Sequence, residues 1–235
     1  SLTLGNINTF SVSVQDNQSM REVVVDVDSG GPIPATGTEG AATFSFTVSE
    51  DLSASTISDL NVRFSAEHTW DADLAVSLQS PGGTQLNLFS GVGESGDNFQ
   101  DTLLDDQATT SITDGTATAP FIGSFKPQQS LAIFDNENPN SKWTLTVTDN
   151  AEFDSGRLLK ANDIAPWGIA TGTQLIFQLN TNTNTERVIT PVAGKSGSVT
   201  LEATNGNISA SDLNTSNNFG TDGGAISLTA NGGDI

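Results

Sequence analysis

The chain has no cysteine, no tyrosine and a single histidine, and only eight lysines and arginines. Without cysteine there is no disulfide, no thiolate nucleophile and no Cys-based zinc or iron–sulfur site. Compartment is therefore not fixed by redox chemistry. One histidine excludes a His-based metal cage, and any Ser-His-Asp triad has to use His68. No apolar run approaches the roughly 20 residues that span a bilayer. Ser1-Leu2-Thr3-Leu4 has neither the basic nor the apolar part of an export signal, so any such signal is expected outside these residues. A G-x-S-x-G elbow, a D-x-D-x-D loop of the EF-hand kind and a GGxGxD nonapeptide are all absent from the sequence.

What is abundant is acid, glycine and small polar residues. Twenty-eight Asp and Glu against eight bases give a formal charge of −20. Such a field repels phosphate backbones and anionic lipid, which makes nucleic acid a poor partner and divalent cations good ones. Much of that acidity serves solubility, and only clustered acids are site candidates. Twenty-three glycines, many Thr, Ser and Asn, and the near absence of helical periodicity favour short strands joined by tight turns, an all-β class. A length of 235 residues is enough for one β-sandwich plus further elements. Strand-like alternation appears at 23–27, 42–48, 57–64, 74–78, 85–89, 131–134, 143–147 and 175–179. Pro81-Gly82-Gly83 and Asp154-Ser155-Gly156 read as turns in which glycine supplies positive φ.

The stretch from Ile57 to Leu158 carries several motifs in a fixed order. His68-Thr69 precedes Asp73-Leu74. Ser80-Pro81 with Gly83-Thr84 follows, then Asp105-Asp106 before Ala108, then Trp143-Thr144-Leu145, and finally Asp149 with Asp154-Ser155-Gly156. This order resembles the P domain, the β-rich module that follows the protease in proprotein convertases and bacterial subtilisin-like enzymes. The resemblance implies a jelly-roll-like β-sandwich and an accessory, non-catalytic role. One departure is the insertion of residues 160–173, with Pro166, Trp167 and Gly168, before the last strand.

Beyond about Asn180 the chain becomes rich in Asn, Thr, Gly and Ser. VTLEATNGNI at 199–208 aligns without gaps to ISLTANGGDI at 226–235, an offset of 27 residues. Apolar beats separated by Asn-Gly turns suit a right-handed β-solenoid rung, which buries its inward residues only against its neighbours. The composition resembles filamentous haemagglutinin-like secreted proteins, and Leu4-Gly5-Asn6-Ile7-Asn8-Thr9 looks like the Asn205-Gly206-Asn207-Ile208 turn. The expected organisation is a partial solenoid-like repeat at 1–20, a P-domain sandwich at 21–185 and solenoid-like repeats at 186–235. A polar low-complexity linker is the plainer reading of the flanks.

The acids fall into three groups: Asp71 and Asp73 after the His68 strand, Asp101, Asp105 and Asp106 in the middle loop, and Asp149, Glu152 and Asp154 in the last turn. In the P-domain pattern these turns lie on one region of the sandwich. Hard oxygen ligands gathered from loops suit Ca²⁺, which takes 6–8 oxygens in flexible geometry, better than Mg²⁺. Asp73, Asp106, Asp149 and Asp154 are the leading ligand candidates, with Asp71, Asp101 and Asp105 in reserve; the alternative for each is capping of a turn. Trp143 is assigned to the core, whereas Trp70 and Trp167, placed in loops, are candidate glycan contacts. His68 is expected to pack and hydrogen-bond rather than abstract protons. Three roles follow for the chain, secreted or at the cell surface: a calcium-stabilised structural or adhesive module of a haemagglutinin-like protein, an accessory folding domain of a secreted peptidase, or a lectin-like module. A surface glycan or protein receptor, and a second copy through exposed repeat edges, are the expected partners besides calcium.

Overall fold

The computed structural model describes residues 10–34, 38–189, 199–203, 208–211 and 226–230. Its strands are β1 (Phe10–Asp26), β2 (Gly31–Ile33), β3 (Gly40–Val48), β4 (Ser55–His68), β5 (Leu74–Gln79), β6 (Gln85–Ser90), β7 (Phe99–Leu104) and β8 (Ser124–Phe125). After these come β9 (Ser141–Asp149), β10 (Gly156–Leu158), β11 (Ile164–Ala165), β12 (Gly168–Ile169), β13 (Gln174–Ile189), β14 (Val199–Ala203), β15 (Ile208–Ser211) and β16 (Ile226–Ala230). Among the described residues the only helical elements are two short 3₁₀ turns, Asp71–Asp73 and Leu131–Phe134. The chain divides into two compact units, Arg21–Leu179 and Ser1–Met20 with Asn180–Ile235.

The larger unit is an all-β sandwich. One sheet has the order β3-β9-β5-β6, antiparallel throughout; the other holds β13, β4, β10 and β2 in that order, with β7 on β4 and β8 on β7. Strict alternation builds the inner face: Trp143, Leu145, Val147 and Asp149 of β9 point inward, as do Leu74, Val76 and Leu78 of β5 and Leu175, Phe177 and Leu179 of β13. Beside β13 and facing β9 and β5, β4 contributes Ile57, Leu60, Val62, Phe64, Ala66 and His68. Phe64, Phe89, Phe99 and Phe121 pack in a chain of rings with centroids 4.9–5.3 Å apart, and Trp143 lies between Phe134 and Phe177. Each large side chain enclosed this way contributes about 1.5–3 kcal/mol of hydrophobic stabilisation.

Pro81-Gly82-Gly83 forms the tip between β5 and β6, as the sequence indicates: Ser80 N donates to Thr84 O at 2.9 Å, and Gly83 sits at φ +91°. Leu131–Phe134 is a 3₁₀ turn instead of the expected strand. Leu131 and Phe134, three apart, face the core while Ala132 and Ile133 face solvent, and the Ser130 hydroxyl caps the turn by accepting from Ala132 N. β7 was not among the expected strands because a bulge against β4, between Phe64 and Ala66, breaks its alternation. The inserted segment folds back on itself as the hairpin β11-β12, with Leu159, Ala165 and Ala170 forming a small core of their own.

In the smaller unit, Ser11–Val14 of β1 pair antiparallel with β15. β14 and β16 pair in parallel, with Val199 opposite Ile226, Leu201 opposite Leu228 and Ala203 opposite Ala230. This is the alignment of the internal repeat, so residues 27 apart in sequence occupy neighbouring strands in register. Leu4 to Thr9 and the Asn205-Gly206-Asn207 turn, which enter the expected rungs, lie outside the described residues.

Candidate functional site

β4 and β9 belong to opposite sheets, and their ends meet at one polar contact. His68 closes β4 with its ring fully enclosed; Nε2 stands 3.2 Å from Asp149 Oδ2 and Nδ1 2.9 Å from the Trp70 carbonyl oxygen. Asp149 Oδ1 accepts from Ala151 N at 3.2 Å, so both carboxylate oxygens are engaged. The imidazole is a buried tie between the sheets, with no free edge for a proton acceptor's role.

Two turns flank this tie. The Thr69 hydroxyl donates to Asp154 Oδ1 at 2.9 Å and accepts from Ser155 N at 3.2 Å, lacing the turn after β4 to the turn after β9. Asn150 donates to the Asp73 carbonyl oxygen through its backbone N–H and its side-chain amide, at 2.9 and 2.8 Å. Asp73, Asp149 and Asp154 are thereby gathered at one end. The Asp73 carboxyl is held above the usual carboxylate range, first by desolvation and then by the negative charges of Asp149 and Asp154. His68 acts in the opposite sense, and a hydrogen bond between the Asp73 and Asp154 carboxyls adds to the rise.

Asp71 lies two residues from Asp73 but in separate surroundings. It is fully buried, and neither carboxylate oxygen has a hydrogen-bond partner. Its backbone N–H donates to Gly96 O at 2.8 Å and that of Ala72 to Glu94 O at 3.2 Å, which fastens the loop after β6 over it. Burial pushes the Asp71 carboxyl up to about 8; the Asn98 backbone N–H, whose own hydrogen bond goes to His68 O at 3.1 Å, opposes the shift from nearby, and the charge of Asp97 adds to it.

The middle-loop acids do not join either group. Asp106 accepts from the Ser130 hydroxyl at 2.6 Å, Leu131 N at 3.1 Å and Ala132 N at 3.0 Å, so it caps the second 3₁₀ turn together with Ser130. Asp105 accepts from Gln107 N at 2.7 Å. Asp101 Oδ1 is shared by the Ser65 hydroxyl and the backbone N–H groups of Thr171 and Gly172, at 2.9, 3.1 and 3.3 Å. Asp59 and Asp135 are held above the ordinary range by desolvation first; Asp106 raises both, Asp105 raises Asp59, and the Gln107 side chain opposes the rise at Asp59. Asp106→Ala is expected to cost about 1 kcal/mol, as loss of a cap does, read as a lower denaturation midpoint at unchanged slope. The same variant returns Asp59 and Asp135 toward the ordinary carboxylate range in an NMR titration.

Among the described residues no three His, Asp or Glu side chains are arranged to hold a metal ion. Trp70 is 44% exposed beside the Asp73 turn, whereas Trp167 packs on the small core of the insert with its indole N–H buried and unpartnered. Sequence reasoning passed over Asp97 and Asn98 beside Asp71, for which the glycine-spaced run Gly93-Glu94-Ser95-Gly96 is the available signal. It also passed over the Arg157–Glu67 pair, whose two N–H···O bonds of 3.1 and 2.8 Å line an open cleft of about 740 Å³ together with Asn98, Lys160 and Asp163.

Residues 57–162 match the proprotein convertase P-domain. The matched segment runs from β4 through β10 and contains His68, Asp73, Asp149 and Asp154. β2, β3 and β13 lie outside it yet complete both sheets of the sandwich, so the folding unit is larger than the P-domain match. No curated protein matches the chain. Among the described residues no helix is long and apolar enough to cross a membrane.

Proposed function

We propose that the chain is a non-catalytic, calcium-stabilised P-domain module of a large secreted, haemagglutinin-like surface protein, with a structural or adhesive role. The observation that carries the reading is the P-domain match on a complete sandwich whose single histidine is enclosed as an inter-sheet tie. Support for the repetitive context comes from the in-register parallel pairing of β14 and β16 at the 27-residue repeat. Support for calcium comes from the end where Asp73, Asp149 and Asp154 gather: like charges at close range favour a dication that offsets them, and a ligand that binds only the folded chain stabilises it by mass action. Two tests apply. Calorimetric titration of the metal-stripped protein with calcium should give a saturable heat and a raised melting temperature; no heat and no shift would remove calcium from the reading. The sequence flanking the chain in its parent protein should carry further 27-residue repeats.

A second reading is favoured by the family match itself: an accessory domain that assists folding of a secreted subtilisin-like peptidase. A catalytic block in the flanking sequence, in place of the repeats, decides for it.

A further inference from the structure

Among the described residues, Asp71 is the one carboxylate that is fully enclosed with both oxygens unpartnered. A buried carboxylate left this way costs several kcal/mol, and a buried polar group without a partner calls for an explanation, of which a bound ion is one. A loop of polar backbone closes over Asp71, with the Phe121 ring beside that loop. The loop from Gly91 to Asn98 is fastened to the Asp71 turn by Asp71 N–Gly96 O and Ala72 N–Glu94 O, and closed on itself by Gly96 N–Gly93 O at 2.9 Å. Each of these carbonyls retains a second lone pair. Gly93 approaches so closely that a Cβ there would lie 2.8 Å from the Asp71 Cβ and 2.9 Å from the Phe121 ring, which keeps the loop pressed onto the carboxylate. Asp97 adds a second negative charge within electrostatic reach.

From this geometry we infer a Ca²⁺ site centred on the Asp71 carboxylate, with Asp97 and backbone carbonyls of the Gly91–Asn98 loop supplying further oxygens, separate from the Asp73–Asp149–Asp154 group. The inference rests on the calcium reading above and gives it a location. A proton on Asp71 relieves the charge and lets one oxygen donate to a loop carbonyl, but leaves the other oxygen unpartnered. A dication relieves both. An all-oxygen set drawn from a loop and lacking nitrogen or sulfur ligands suits Ca²⁺ over transition metals, and its irregularity suits Ca²⁺ over Mg²⁺.

The test is calcium titration of the metal-stripped, full 235-residue protein by calorimetry, with melting temperatures in chelator and in calcium, for wild type, Asp71→Asn, Asp97→Asn and the double variant Asp73→Asn/Asp154→Asn. Asp71→Asn is expected to lose one equivalent of calcium and its share of the thermal shift. Asp97→Asn, which removes the exposed member of the set, is expected to bind with affinity reduced on the order of tenfold, and stands in should Asp71→Asn fail to fold. The double variant is expected to keep the Asp71 equivalent. Unchanged stoichiometry and affinity in both single variants, with loss in the double variant, overturns this site and leaves calcium at the other end intact. Absence of calcium binding in wild type overturns both.

Discussion

In chelator at pH 8, Asp71→Asn melts above the wild-type protein, and in saturating calcium the order reverses. The first half follows from the sign of the shift. The Asp71 carboxyl is raised from its ordinary 3.8 to about 8 in the folded chain, so between those values the folded state holds a proton that the unfolded state has released. Stability then falls as pH rises through that window: the group costs nothing below about pH 4 and its full penalty above about pH 8. A buried group displaced this far penalises the folded state by on the order of a few kcal/mol, or about 5–10 °C in a domain of this size. Asparagine carries no charge to bury, so the variant loses the largest component of the decline while retaining those of Asp59, Asp73 and Asp135, which are raised as well. Melting curves of both proteins in chelator at steps from pH 5 to 8 check this; parallel slopes would show that solvent reaches Asp71 after all. With calcium at the proposed site the ranking is expected to invert, because only the carboxylate gains from the ion.

Much of the sandwich is legible because its inner face alternates. Trp143-Thr144-Leu145 and Leu74 to Leu78 declare their strands by period alone, and Trp143 is buried as the alternation requires. Leu131–Phe134 misleads for the same reason: four apolar residues in a row have no period, and only the Ser130 cap and the three-residue spacing of Leu131 and Phe134 separate a 3₁₀ turn from a strand. The convergence of Asp73, Asp149 and Asp154 is readable from motif order, since each acid lies at or within two residues of the end of a strand whose neighbour the order specifies. Asp106 is not readable in this way. Its partners, Ser130 to Ala132, lie some two dozen residues on, and nothing local distinguishes a capping aspartate from a metal ligand. Asp71 and Asp73 differ by one alanine in sequence, yet one carboxylate is sealed and the other borders solvent, because the loop that seals Asp71 comes from beyond β6. Burial of a polar side chain by a distant loop leaves no periodic trace.

Gly156→Ala is expected to be the most damaging single-methyl change at this end of the sandwich, lowering stability by on the order of 3 kcal/mol or more. The Asp154-Ser155-Gly156 run suggests a glycine kept for positive φ, but Gly156 is the first residue of β10, paired directly with His68 of β4. A Cβ at 156 would meet Glu67 O at 2.3 Å, His68 Cδ2 at 2.5 Å and His68 Cα at 3.1 Å. Two of those three atoms are backbone in a strand hydrogen-bonded to its neighbours, and the third belongs to a ring tied to Asp149, so none yields without loss. Relief requires β10 to move off β4, which opens the cover over Leu158, or His68 to turn away from Asp149, which leaves a buried carboxylate oxygen without its partner. Gly83→Ala provides the contrast. Gly83 sits at φ +91° with nothing within 4 Å of a Cβ, so its cost is conformational alone, about 1–2 kcal/mol. Urea midpoints for the two variants separate the causes: Gly156→Ala should fall well below Gly83→Ala, and equal losses would mean that backbone conformation, not the approach to His68, sets the requirement for glycine at 156.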